Sequence, residues 1–129
     1  MEYSAFLIGP HLIGLLFIIL GLMQKYLPPK KINNWYGYRT ATARSSQQLW
    51  DEGNRYSANY MIRAGQLVLI FGFILYAGSL YIHAPADVQK IVNYGILFGG
   101  AVGIGIFSTI ATEKHLKEKI KNTPTKKRK

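Results

Sequence analysis

The chain has 129 residues, of which 49% are hydrophobic, a formal net charge of +10 and no cysteine. This length allows one domain or a small bundle of membrane helices. The lack of cysteine excludes disulfides, zinc ribbons, iron–sulfur clusters and thiol catalysis. Because the apolar and basic residues fall in separate blocks, an ordinary soluble enzyme is excluded as well.

Three runs without charged residues predict an all-α integral membrane protein with three transmembrane helices. The runs cover about residues 3–23, 64–82 and 91–112. Roughly 20 helical residues cross the ~30 Å hydrocarbon core, so each run is long enough. Buried helices of a soluble bundle are the alternative, but the runs show no polar face at helical spacing. A signal peptide is the alternative for the first run, and its acidic flank and missing cleavage site favour a retained span.

The segment 24–63 is predicted to form an irregular loop followed by an amphipathic helix at the cytoplasmic surface. Ser45 and Gln48 match a capping box that would start this helix. We expect the helix to turn into, or continue as, the second span. Its two faces are read from helical spacing, with Leu49, Tyr56 and Tyr60 on the apolar face and Asp51, Glu52 and Arg55 on the opposite side.

The distribution of Lys and Arg predicts the orientation. Fifteen of the sixteen lie in the segment 24–63 and in the tail 113–129. The positive-inside rule places both segments in the cytoplasm, with the N-terminus outside and the C-terminus inside. The end of the tail is expected to contact anionic lipid headgroups. Nucleic-acid binding is disfavoured, because no suitable fold or aromatic platform surrounds this cluster. It comprises Lys126, Lys127, Arg128 and Lys129.

A stripe of small residues marks the third run. Gly95, Gly99 and Gly103 follow one another at four-residue spacing. Small residues on one face let membrane helices approach closely, so the stripe predicts a helix-packing interface. Either a partner or second copy of the chain packs there, or the other two spans of the same chain do.

No reaction centre is visible in the sequence. His11, His83 and His115 fall at different levels of the predicted topology and cannot meet at one metal. No catalytic motif occurs, and the spans carry no charge near the midplane. We therefore expect a protein that is not an enzyme, with no catalytic residue, metal or cofactor.

The stretch from Asn34 to Thr40 is dense in side chains that seek partners. Gly37, between two tyrosines, indicates a tight turn or a close backbone approach. The planar fork of Arg39 suits a carboxylate, a phosphate headgroup or loop carbonyls. Two interpretations stay open: these residues contact a ligand, or Arg39 and Asn34 lock the loop onto the following helix.

At these positions the sequence resembles the SdpI-type immunity family of bacterial membrane proteins. The resemblance covers about residues 33–65. It departs from the family pattern at Ala41, where a proline is common, and at Ser57–Ala58, where two glycines are common. The founding type is longer, with further membrane helices ahead of this unit. The matching motif residues are Asn34, Tyr36, Gly37, Tyr38, Arg39, Thr40, Trp50, Asn54 and Arg55.

The resemblance implies protection against a secreted membrane-active toxin and capture of a protein partner at the cytoplasmic face. A second hypothesis belongs to another class of function. In it, the chain is a small accessory subunit of a larger membrane assembly and docks through its glycine stripe. A third hypothesis, a small channel or transporter, requires oligomerisation, because three helices do not readily enclose an aqueous path.

Overall fold

The computed structural model describes residues 9–123, and every regular element within them is a helix. The predicted all-α class is therefore confirmed. Four helices follow one another along the chain: α1 (Pro10–Tyr26), α2 (Ala41–Arg44), α3 (Gln47–Tyr81) and α4 (Ala86–Asn122).

Two of these helices, α3 and α4, are long and apolar enough to cross a membrane. They contain 35 and 37 residues, so each is roughly 50 Å long and exceeds the hydrocarbon thickness. The apolar helix α1 is shorter. The predicted first span begins at residue 3, and residues 1–8 lie outside the described part of the chain. The count of three spans thus stays a prediction.

Helix α3 joins two predicted elements into one. The amphipathic helix and the second apolar run form a single uninterrupted helix from Gln47 to Tyr81. The prediction of Ser45 as its N-cap is wrong, because Ser45 ends α2 and its Oγ donates to the carbonyl of Thr42. The next residue, Ser46, has extended backbone angles and accepts a hydrogen bond from the Leu49 amide at 3.2 Å. One residue of difference is enough, since only an extended residue can cap a helix in this way.

Close packing between α1 and α3 depends on small residues. A Cβ added to Gly14 would lie 2.6 Å from the Leu69 amide nitrogen and 2.7 Å from the Gly65 carbonyl oxygen. A Cβ on Gly21 would lie 2.9 Å from the carbonyl oxygen of Ala58. Because these contacts are to backbone atoms, larger side chains would force the two helices apart.

Helix α4 packs through a different face from the one that the glycine stripe marks. Its buried positions recur every four residues, at Ile104, Ser108, Thr112 and Leu116. Among the described residues, a Cβ on Gly95, Gly99 or Gly103 would meet no atom within 4 Å. The stripe therefore does not pack against α1 or α3, and its use by a partner stays a prediction.

The outer surfaces of α3 and α4 are rich in large apolar side chains. Phe71, Phe98 and Phe107 are each 60% or more exposed. A chain in water would bury such residues, so this surface is typical of helices that face lipid.

Candidate functional site

One end of the bundle collects nearly all the buried polar side chains. There the end of α1, the first half of α3 and the last third of α4 meet, and the loop 27–40 and α2 cover them. We call this region the polar end. The predicted family motif lies within it.

Asn54 is the centre of the polar end and is 1% exposed. Its Oδ1 accepts a hydrogen bond from the Tyr38 amide at 2.6 Å, and its Nδ2 donates to the Trp50 carbonyl at 2.8 Å. From α1, the side-chain Nε2 of Gln24 lies 3.0 Å from the Asn54 carbonyl oxygen, 3.1 Å from Oδ1 and 2.7 Å from the Ser57 hydroxyl. A single side chain of α3 thereby holds α1 and the loop.

Gly37 lets the loop approach Asn54. Its φ of 98° is in the left-handed region that L side chains rarely adopt. A Cβ there would also lie 2.6 Å from Cγ of Pro29 and would overlap Oδ1 of Asn54. The same loop is fastened at Pro29, whose carbonyl accepts a 2.7 Å hydrogen bond from the indole Nε1 of the fully buried Trp50.

Glu113 of α4 fastens the other end of the loop. The hydroxyls of Tyr38, Thr40 and Thr42 donate to its carboxylate at 3.0, 2.5 and 2.7 Å. Burial alone would raise the pKa of Glu113, but these three hydrogen bonds and the charge of Lys117 lower it overall. Burial, with a smaller contribution from the carboxylate, raises the pKa of the Tyr38 hydroxyl. Glu113 is thus a fixed anion that receives neutral donors.

A second carboxylate, Glu52, joins α3 to α4. Although the sequence placed it on the side of α3 opposite the apolar face, it is buried, at 8% exposed. Arg55, His115 and Lys119 approach its oxygens at 2.7, 2.7 and 3.1 Å. Burial raises its pKa, but the hydrogen bonds from Arg55, His115 and Lys119 outweigh this and lower it to about 2. The face is buried because the charged end of α4 packs there, with the His115 ring stacked 4.2 Å from that of Tyr56.

Among the exposed residues of the loop, three carry large aromatic or guanidinium side chains. Trp35 is 91% exposed, Tyr36 is 40% exposed, and Arg39 is exposed as well. Their backbone is nevertheless held, because Oδ1 of Asn33 accepts hydrogen bonds from the amides of Trp35 and Tyr36, both at 2.9 Å. Nη1 of Arg39 donates to the carbonyl of Asn34 within the same loop. We call Trp35, Tyr36 and Arg39 the exposed loop face.

The structure therefore divides the predicted motif. Gly37, Tyr38, Thr40, Trp50 and Asn54 come together in the buried network. Tyr36, Arg39 and Asn34 belong to the loop surface, and the side chain of Arg55 is 68% exposed beside Glu52. Arg39 therefore bonds within its own loop, to the Asn34 carbonyl, while its side chain is exposed.

Several residues of the network were missed by sequence reasoning, namely Gln24, Pro29, Ser57 and Glu113. Gln24 and Glu113 carried a signal, since each is the first polar residue after an apolar run. Within residues 9–123 no group of His, Asp and Glu side chains is placed to hold a metal ion. The predicted headgroup contacts of the basic tail, Lys126 to Lys129, lie outside the described residues.

Comparison with known proteins covers most of this site, although Gln24, Pro29 and Glu113 lie outside the matched range. A family model described as the SdpI/YfhL protein family matches residues 30–112. A relative from Bacillus subtilis (strain 168), described as the uncharacterized protein YfhL, is 50% identical over 62 residues. That stretch covers 48% of this chain and 56% of the relative, so the chain spans about half the length of the curated relative it matches. No solved structure shows a significant match.

Proposed function

This chain belongs to the SdpI/YfhL protein family, and we propose that it is a membrane protein without enzymatic activity that binds a protein or peptide partner at its exposed loop face. Its most specific proposed activity is protection against a membrane-active toxin. In this proposal three spans cross a bacterial inner membrane, the N-terminus is outside, and the polar end lies in the cytoplasm.

The observation that carries the proposal is the exposure of Trp35 on a loop whose backbone is fastened at both ends. An exposed Trp in a fixed position presents a large contact area at little cost in conformational entropy. Arg39 lies in the same loop and adds charged donors for a carboxylate or a carbonyl group. The buried hydrogen bonds beneath the loop support a role in which the loop is held ready for binding.

The test compares growth of a strain that lacks this chain with the same strain carrying the wild-type chain. Both are exposed to concentrated secreted peptides from the same species and from its competitors. We expect the wild-type chain to raise the inhibitory concentration of at least one fraction about tenfold. Equal growth of the two strains in every fraction would refute the protective role.

Variants separate binding from structure. Arg39→Ala and Trp35→Ala are expected to reduce protection while the protein still accumulates in the membrane with the same topology. Arg44→Ala, an exposed arginine of α2 outside the motif, is the matched control and should protect like the wild type. If Arg39→Ala instead abolishes accumulation, the role of the motif is structural.

A second candidate function is that of a small accessory subunit in a larger membrane assembly. It is favoured by the open space around Gly95, Gly99 and Gly103. Gly99→Leu should release the chain from such an assembly during gentle detergent extraction. Gly78→Leu on α3, where a Cβ also meets no atom within 4 Å, should leave the assembly intact. Unchanged association of Gly99→Leu would count against this function.

A further inference from the structure

A recess of about 210 Å³ lies between α1, α3 and α4 beneath the loop. Gln24, Ser57 and Ser108 line it together with Tyr38, and Phe17 and Gly105 add apolar surface. It has room for several water molecules or for a group of the size of a small polyol. Each of these three helices contributes to the wall of the recess, so the recess exists only in the assembled bundle.

The side-chain oxygen of Gln24 is an unused acceptor in this recess. Its nitrogen is identified by three surrounding acceptors, two on Asn54 and one on Ser57, so the other atom of the amide must be the oxygen. Gln24 is only 7% exposed. Within residues 9–123, no donor reaches Oε1.

Ser108 supplies a second unused group. It is also 7% exposed, and its hydroxyl bonds to no residue in the described part of α1, α3 or the loop. Its carbonyl is occupied by the Thr112 hydroxyl at 2.7 Å, so the free group is Oγ alone. Both groups can be reached from the recess, so a molecule inside it can bond to each of them, and a ligand that both donates and accepts hydrogen bonds would satisfy both.

The chemistry of the wall selects a neutral ligand group. No charged side chain lines the recess, so neither a carboxylate nor an ammonium group would find its counter-charge there. An acceptor at Gln24 and a hydroxyl at Ser108 match a group that carries hydroxyls. The apolar surface of Phe17 suits the carbon skeleton of such a group.

The level of the recess indicates where this group comes from. Gln24 directly follows the first apolar run, Ser57 precedes the second, and Ser108 lies one turn before the end of the third. All three residues therefore lie near the boundary between hydrocarbon and headgroups, if the runs span the membrane as proposed above. We propose that the recess binds the glycerol headgroup of a phospholipid through Gln24 and Ser108.

The experiment measures lipid binding to the delipidated full chain in detergent by native mass spectrometry. The probes are phosphatidylglycerol and phosphatidylethanol with identical acyl chains. Both carry one negative charge, but only phosphatidylglycerol has headgroup hydroxyls. We expect phosphatidylglycerol to bind at least fivefold more tightly. Equal binding of the two lipids would overturn the proposal, because charge alone would then explain the affinity.

Two variants and one control locate the binding site. Ser108→Ala removes only the unused hydroxyl and should reduce the preference for phosphatidylglycerol roughly fivefold, the effect of one hydrogen bond. Gly105→Leu has free space for its side chain and should remove the preference by filling the recess. Gly78→Leu, on an equally open part of α3, should keep it.

Two further outcomes decide against the proposal. If both recess variants retain the full preference while thermal unfolding shows that they are folded, the lipid binds elsewhere. If free glycerol at millimolar concentration abolishes the preference, the recess takes a soluble polyol and the lipid assignment is wrong. Because these measurements involve neither toxin nor protein partner, they can fail while the proposed function stands.

Discussion

Replacing Asn54 with alanine tests the buried network at its centre. The substitution removes the acceptor of the Tyr38 amide, at 2.6 Å, and one of the three acceptors around Nε2 of Gln24. It also removes the donor to the Trp50 carbonyl. That carbonyl still accepts the ordinary helical hydrogen bond from the amide four residues on. The most costly lost hydrogen bond is therefore the one from the Tyr38 amide.

The magnitude follows from these partners. A buried amide left without an acceptor costs ~1–3 kcal/mol, and the lost contacts of a fully buried side chain add to this. Gln24 keeps two acceptors, so its share is small. We expect Asn54→Ala to lower the free energy of unfolding by about 3 kcal/mol. For a chain of this length that corresponds to a decrease in Tm of roughly 10 °C.

Tryptophan fluorescence provides the assay. The chain has two tryptophans, Trp35 and Trp50, of which Trp50 is fully buried in the network. In a Trp35→Phe background, thermal unfolding in detergent reports on Trp50 alone. Asn34→Ala is the matched control, because this asparagine belongs to the same motif but its side chain makes no hydrogen bond within residues 9–123. A shift below 3 °C for Asn54→Ala, or an equal shift for Asn34→Ala, would show that Asn54 is not the centre.

Two further predictions concern the loop and the buried carboxylate. Gly37→Ala should destabilise the chain by more than 2 kcal/mol, since it adds backbone strain and a clash with Asn54. In the same unfolding assay Gly78→Ala should stabilise the chain by up to about 1 kcal/mol, because alanine favours the helix and its Cβ meets no atom there. Glu52 has a folded-state pKa of about 2, below its unfolded value, so its stabilising contribution is present above about pH 4.5 and is lost as the pH falls towards 2. The difference in Tm between wild type and Glu52→Gln should therefore shrink over that range. Glu118→Gln provides the baseline for removing a charge at an exposed position. A constant difference in Tm would contradict the lowered pKa of Glu52.

Local patterns in the sequence were sufficient for the fold class and for part of the site. The uninterrupted helix α3 follows from its apolar spacing together with the absence of a breaking residue, and the need for glycine at position 37 follows from its place in a tight turn. Trp50 and Asn54 were found because they recur in a family motif. All of these signals are contained in short stretches of chain.

The remaining contacts depend on which helix faces join, and short stretches do not contain that information. Gln24 and Asn54 are 30 positions apart, and the burial of Glu52 requires the end of α4 to pack against α3. The glycines also show that short stretches of sequence do not reveal which helix faces join. The regular stripe on α4 faces open space, while Gly14, Gly21 and Gly65, which lack an obvious repeat, carry the contact between α1 and α3.

The network links the position of the loop to the packing of the helices. Oδ1 of Asn54 serves both Gln24 of α1 and the backbone of the loop at Tyr38, and the hydroxyl of Tyr38 reaches Glu113 of α4. A partner that moved α4 relative to α3 would have to break a hydrogen bond to Glu113 or carry the loop with it. Likewise, a partner that pulled on the loop would load all three helices. If partners bind at the exposed loop face and on the surface of α4, as proposed, the same few hydrogen bonds would couple the two interactions. Variants of Glu113 that leave both surfaces intact should then reduce the effect that one interaction has on the other.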